Sequence, residues 1–91
     1  MGAERGARLR QAVLVARDLG PVSRRLRSEL GLGEPFADPG VGTFGLHNAV
    51  YAIGDSFLEV ISPNQPDTTA GRYLGRRGDG GYMVIFQLAD L

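Results

Sequence analysis

The chain of 91 residues contains no cysteine, no tryptophan and no lysine. Without cysteine it can form neither a disulfide framework nor a thiolate metal site, and we expect it to work in the cytoplasm. No apolar run approaches the roughly 20 residues that a transmembrane helix needs. Residues 1–8 also lack an apolar core, so we expect a flexible polar arm there and not a secretory signal.

The charged residues balance, since ten arginines face ten acidic residues and the net charge is zero. A nucleic-acid-binding domain normally shows a net basic face. We therefore expect neither a nucleic acid nor a membrane as partner. A chain of this length makes one small domain at most.

The first third of the chain predicts a strand followed by a short helix. The strand covers residues 9–17, where five apolar residues follow one another without a break from Ala12. Asp18 offers an oxygen that could cap the helix, and Pro21 suits its first turn. Val22, Leu26 and Leu30 form one apolar stripe, and Gly31 ends the helix.

The remainder predicts three more strands and a weak helix. Residues 34–45 are rich in glycine and proline, so any strand there must be short and at an edge. Strands are expected over 46–53 and 57–62, joined by a hairpin turn at Gly54-Asp55-Ser56. Residues 69–77 favour a short helix, and 82–89 a last strand.

The end of the chain repeats its beginning. Residues 13–19 (VLVARDL) align with residues 85–91 (IFQLADL), and both are apolar strands that close on Asp-Leu. The simplest interpretation is a duplicated module whose second copy stops after its first strand. It divides the chain into the arm at 1–8, a module at 9–66, and a connector plus the first strand of an incomplete second module at 67–91.

Glu59 is the residue in most need of explanation, because it stands between Leu58 and Val60 in an otherwise apolar strand. Side chains alternate along a strand, so Glu59 shares a face with Phe57 and Ile61. A buried carboxylate must meet a cation, a hydrogen-bond donor or water. Glu59 is predicted to be either a solvent-facing residue of a half-exposed sheet or the catalytic residue, and Gln11 raises the same question on the first strand.

Four more residues are predicted to line a pocket: His47, Asn48, Met83 and Gln87. His47 is the only histidine, and a lone histidine is more often a surface or structural residue than a ligand. No spacing in the chain supports a Ser-His-Asp triad or a phosphate-binding loop.

Taken together, these segments resemble the glyoxalase-like domain of the vicinal-oxygen-chelate superfamily, the group of glyoxalases, bleomycin-resistance proteins and extradiol dioxygenases. Three stretches carry the resemblance: RQAVLVARDL at 10–19, LHNAVYAIGD at 46–55 and, above all, FLEVISP at 57–63. The resemblance implies an α+β fold in which a βαβββ module supplies half of a cupped sheet. Two such modules enclose the site, either in a homodimer or in a longer chain.

The resemblance also implies a divalent metal ion, with Gln11 and Glu59 at two of the four ligand positions. Met83 falls where a second module would usually offer histidine, and methionine is a poor ligand for hard divalent ions. With an intact site, the implied activity is that of a metal-dependent lyase, isomerase or dioxygenase acting on vicinal oxygens.

Three alternatives stay open at this point. Met83 favours a metal-free relative that only binds a small, drug-like molecule. The element order also fits a ferredoxin-like βαββαβ domain, such as a regulatory ligand sensor, if residues 69–77 form a helix packed on the sheet. Finally, the chain could be a non-catalytic fragment of a two-module protein.

Overall fold

The computed structural model describes residues 6–88. The elements follow in the order β1 (Ala7–Val15), α1 (Leu19–Leu30), a 3-10 helix (Pro39–Phe44), β2 (Leu46–Ile53), β3 (Ser56–Pro63), α2 (Thr69–Arg77) and β4 (Gly80–Leu88). β1 begins inside the segment predicted as an arm, and the predicted end of the last strand at Ala89 lies outside the described residues. No described helix has the length and apolar character to cross a bilayer.

The four strands form one mixed sheet in the order β2-β3-β1-β4. β1 runs parallel to β3, whereas β4 is antiparallel to β1 and β2 is antiparallel to β3. The expected short edge strand is reduced to one bridge, from Phe36 to Val50 on the outer side of β2. Phe36, β2, β3 and β1 thus complete the predicted βαβββ module.

The parallel pairing of β1 and β3 excludes the ferredoxin-like alternative. That fold contains a split β-α-β unit, in which β3 lies antiparallel between the parallel strands β1 and β2. The presence of a second helix does not distinguish the two folds. Helix α2 forms as predicted and buries Ala70 and Leu74, yet the strand directions are not those of the ferredoxin-like fold. Strand direction decides the fold, and it depends on long-range pairing that local sequence does not record.

The two helices pack on opposite faces of the sheet. On the convex face, the Tyr51 hydroxyl of β2 donates to the Ser23 carbonyl of α1 at 2.9 Å. On the concave face, Leu74 and Ala70 of α2 join Val13, Val15 and Ile61 in the buried core. α2 therefore covers one end of the concave face and leaves the rest of that face open.

Helix α1 departs from expectation at its start. Asp18 occupies the N-cap position, but its side chain makes no capping hydrogen bond, so the prediction that its oxygen caps the helix is wrong. The backbone of Asp18 is extended and Leu19 begins the helix without that contact. The end is as predicted, since Gly31 takes the left-handed conformation at φ 66°.

The ladder between β1 and β4 has a two-fold symmetry that coincides with the sequence repeat. Ala12 pairs with Val84, its own counterpart in the repeat, and Gln11 pairs with Ile85 as Val13 pairs with Met83. The two irregularities of the ladder, between Leu9 and Gln11 and between Val13 and Leu14, are related by the same axis. Any antiparallel ladder has local two-fold axes, so the informative feature is that this axis maps one copy of the repeat onto the other.

Candidate functional site

Glu59 lies at the centre of the concave face and is only 8% exposed. On one side it pairs across the sheet with Val13 of β1, and on the other with Val50 of β2. In both ladders a diagonal neighbour carries a side-chain amide, Gln11 on β1 and Asn48 on β2. Diagonal neighbours on one face of a sheet are within reach of long side chains.

Both amides donate hydrogen bonds to the Glu59 carboxylate. Asn48 Nδ2 lies 2.6 Å from Oε2, and Gln11 Nε2 donates to Oε1. The amide of Asn48 is itself fixed, because its Oδ1 accepts the backbone N–H of Asp38 at 2.9 Å. We call Glu59, Gln11 and Asn48 the carboxylate clamp. The clamp stabilises the buried carboxylate with hydrogen-bond donors and not with a cation.

Glu59 also lines the floor of a concave pocket of about 580 Å³. The rest of the floor is apolar and includes Val13, Ile61, Met83 and Ile85. The mouth is built by two loops, with Phe44 on one side and Asp67 to Thr69 on the other. A cavity of this size with a mostly apolar floor and a few polar groups is typical of small-molecule sites.

The loops of the mouth are closely packed against each other. At Gly45, with φ 70°, a Cβ atom would lie 2.8 Å from Thr68 Cγ2, so a larger residue there would displace the loop. Asp67 takes a φ of 60° without being glycine, which strains its backbone. The mouth therefore has a defined shape on this side.

The structure brings some of the predicted site residues together and separates others. Gln11, Asn48 and Glu59 form the clamp, and Met83 lines the same pocket as Glu59. His47 is exposed and pairs with Ser62, so it faces the side of β2 opposite to Asn48; it lines only a shallower groove at the sheet edge. Gln87 accepts a hydrogen bond from Arg8 at 3.0 Å and does not line the pocket.

The described residues alone do not complete a site for a divalent metal ion. Hard divalent ions take six or more oxygen ligands, some of them water. Gln11 and Glu59 supply one amide and one carboxylate group, and Met83 adds only a soft sulfur. Within residues 6–88 no group of three His, Cys, Asp or Glu side chains is placed to hold a metal ion.

Solved structures with the same arrangement of elements identify the fold. A methylmalonyl-CoA epimerase of Streptomyces coelicolor, bound to 2-nitronate-propionyl-CoA, superposes with a TM-score of 0.83 at 22% identity over 94% of this chain. The epimerase of Mycobacterium tuberculosis gives 0.79 at 18% identity over 91%. A hypothetical protein of Bacillus halodurans gives 0.80 at 18% identity over 88%. These epimerases are members of the vicinal-oxygen-chelate superfamily.

The chain has the vicinal-oxygen-chelate fold. It covers only part of its neighbours, namely 63%, 56% and 57% of those three chains in the same order. No protein-family model matches the sequence, and no characterised protein matches it at the sequence level. At these identities the likeness establishes the fold alone, and the chemistry of the chain depends on its own residues.

The clamp generates a stability prediction. Replacing Asn48 by Asp removes a donor and sets a second carboxylate against Glu59, which should cost about 2–4 kcal/mol of unfolding free energy. Adding Glu59→Gln in the same chain restores an amide–carboxylate pair and should recover most of the loss. Urea unfolding measures both variants, with Asn64→Asp on an exposed loop as control. Equal stability of Asn48→Asp and Asn64→Asp would contradict the clamp.

Proposed function

We propose that this module contributes one half of a small-molecule site of the isomerase type, in which Glu59 accepts a proton from the carbon next to a substrate carbonyl. The observation that carries the proposal is the carboxylate of Glu59 at the floor of an apolar pocket, oriented by two amides. A carboxylate held in one orientation is suited to general-base catalysis.

Each residue of the clamp has a distinct part in the proposed chemistry. Asn48, anchored by the Asp38 backbone, restricts the rotation of the Glu59 carboxylate, and Gln11 holds the other oxygen. The apolar floor orients the carbon skeleton of the substrate over Glu59. Reacting groups held in one geometry lose less entropy on reaching the transition state. No step of this scheme requires a metal ion.

Acyl thioesters are the first substrates to examine, because two of the three structural neighbours described above are methylmalonyl-CoA epimerases. Compounds with an α-hydroxy-carbonyl group are the second class. We propose a cytoplasmic location for this activity, since the absence of cysteine suits a reducing compartment.

The proposal predicts exchange of the substrate α-proton with solvent. Incubated in D₂O with methylmalonyl-CoA or an α-hydroxy ketone, the protein should catalyse deuterium incorporation that proton NMR detects. Glu59→Gln should slow the exchange by about 10²–10⁴-fold, because the base is lost. The matched control is Glu34→Gln, a carboxylate that is ion-paired with Arg27 on the surface. Exchange that survives in Glu59→Gln would refute the role of Glu59.

A second candidate function is binding without turnover, as a metal-free small-molecule binding protein. The observation that favours it is Met83, the symmetry counterpart of Gln11, which lines the same pocket as Glu59 and adds an apolar, polarizable side chain to it. Saturable ligand binding with no α-proton exchange in the wild-type protein would select this function.

We further propose that a second βαβββ module, from another copy of the chain or from a longer chain, closes the pocket beside β4. The symmetry of the β1–β4 ladder supports β4 as the first strand of that module. β4 carries no charged residue and exposes Val84, Phe86 and Leu88, at 58%, 60% and 52%, along an edge of the sheet. An apolar edge strand without charges is prone to pair with another strand.

The partner proposal predicts a dimer of this chain in native mass spectrometry at micromolar concentration. Phe86→Glu should shift the population to monomer, because it places a charge in the apolar contact. Phe36→Glu is a matched control, since Phe36 is 54% exposed at the opposite edge of the sheet. A wild-type monomer would contradict pairing between copies and assign the second module to a longer chain, and dimers of both variants would contradict pairing through β4.

A further inference from the structure

Arg72 of α2 places a guanidinium group at the mouth of the concave pocket. Its Nη1 donates to the Asp67 carbonyl at 3.0 Å, and its Nη2 donates to Thr69 Oγ1 at 3.2 Å. Asp67 and Thr69 both line the pocket. The guanidinium is therefore held within one hydrogen bond of the opening.

The charge of Arg72 is not neutralised by a carboxylate in residues 6–88. Arg8, Arg25 and Arg27 each form an ion pair with an acidic side chain. The described ion pairs include none for Arg72, and Asp67 contacts it through the backbone carbonyl, not through the carboxylate. Two fixed hydrogen bonds to neutral oxygens orient the planar group and leave its other N–H donors available.

Arg76 extends this basic feature along the helix. Thr69, Arg72 and Arg76 lie on one face of α2, because residues at spacings of three and four are neighbours on a helix. The opposite face buries Ala70 and Leu74 against the sheet. Arg76 stands in the last turn, where the helix dipole favours a positive charge, but this explanation does not extend to Arg72. The two guanidinium-bearing residues are separated by about 6 Å of helix rise.

We propose that Arg72, assisted by Arg76, binds the phosphate-bearing tail of a ligand whose reacting part lies in the concave pocket. The proposal rests on the proposed function for the position of the reacting part, and it names the substrate class: a carbonyl compound carried on a phosphate ester. Arginine binds phosphate through paired N–H donors, and two arginines one turn apart match the two groups of a diphosphate.

The test uses the whole chain and isothermal titration calorimetry with coenzyme A that carries no acyl group. Wild-type protein should bind coenzyme A more tightly than pantetheine, which lacks phosphate, and pyrophosphate should compete. Arg72→Gln should weaken coenzyme A binding by roughly 10-fold or more, because a charge-assisted hydrogen bond is lost. Arg72→Lys should lie between them, since lysine keeps the charge but not the paired donors.

The matched control is Arg24→Gln, an exposed arginine on α1, which should leave binding unchanged. If Arg24→Gln and Arg72→Gln weaken coenzyme A binding equally, the loss is a general effect of net charge and the proposal is overturned. Equal affinity of the wild type for coenzyme A and pantetheine would also overturn it, and competition by acetate but not pyrophosphate would assign Arg72 to a carboxylate instead. Since the probe carries no acyl group, the result is independent of whether Glu59 moves a proton.

Discussion

The burial of a carboxylate without a cation is the constraint on which the site of this protein depends. A charge removed from water must regain its hydrogen bonds from the protein. Glu59 regains them from two amides that arrive on different strands and from opposite directions along β3. The parallel pairing of β1 and β3 brings Gln11 to one side, and the β2–β3 hairpin brings Asn48 to the other.

The clamp extends beyond the sheet. The backbone N–H of Asp38 fixes the Asn48 amide, and the Asp38 side chain accepts the N–H of Gly40 at the start of the 3-10 helix. That helix leads to Phe44 and Gly45 at the mouth of the pocket. The position of the mouth is thereby coupled to the group at the floor through a short series of hydrogen bonds.

The β1–β4 ladder determines how the two strands on this side of the pocket floor are related to each other. Its two-fold axis passes between Ala12 and Val84, so each position of β1 that faces the pocket has a counterpart on β4. Met83 takes the place that Gln11 has on β1. The pocket is therefore asymmetric in chemistry although its strands are symmetric in register, with a polar clamp on one side and an apolar surface on the other.

Much of the fold could be predicted from the sequence, because the bounds of β2 and α2 follow from apolar runs and turn residues. Alternation along β3 also placed Glu59 on the same face as Ile61, and both line the pocket. The direction of β1 relative to β3 could not be predicted, since it depends on contacts between distant segments. The same applies to the pairing of Asn48 with Glu59, which needs the hairpin register.

Other features of the site are indicated by simple patterns in the sequence. His47 and Asn48 are adjacent in a strand, so alternation alone says that only one of them can face the pocket. Arg72 was missed, although its spacing of three from Thr69 at the start of α2 indicated a shared helix face. The sequence does not indicate that Tyr82 faces the pocket, because this orientation arises from the irregularity in the β1–β4 ladder.

Solvent exchange of side-chain amide protons, followed by ¹⁵N–¹H NMR, tests the clamp most directly. The NH₂ groups of Gln11 and Asn48 should exchange much more slowly than those of the exposed residues Asn64 and Gln65. Glu59→Leu should remove this protection from Gln11 and Asn48 and leave the exposed pair unchanged. If all four amides exchange at the same rate in the wild type, Glu59 is not held as described, and the account of the site fails with it.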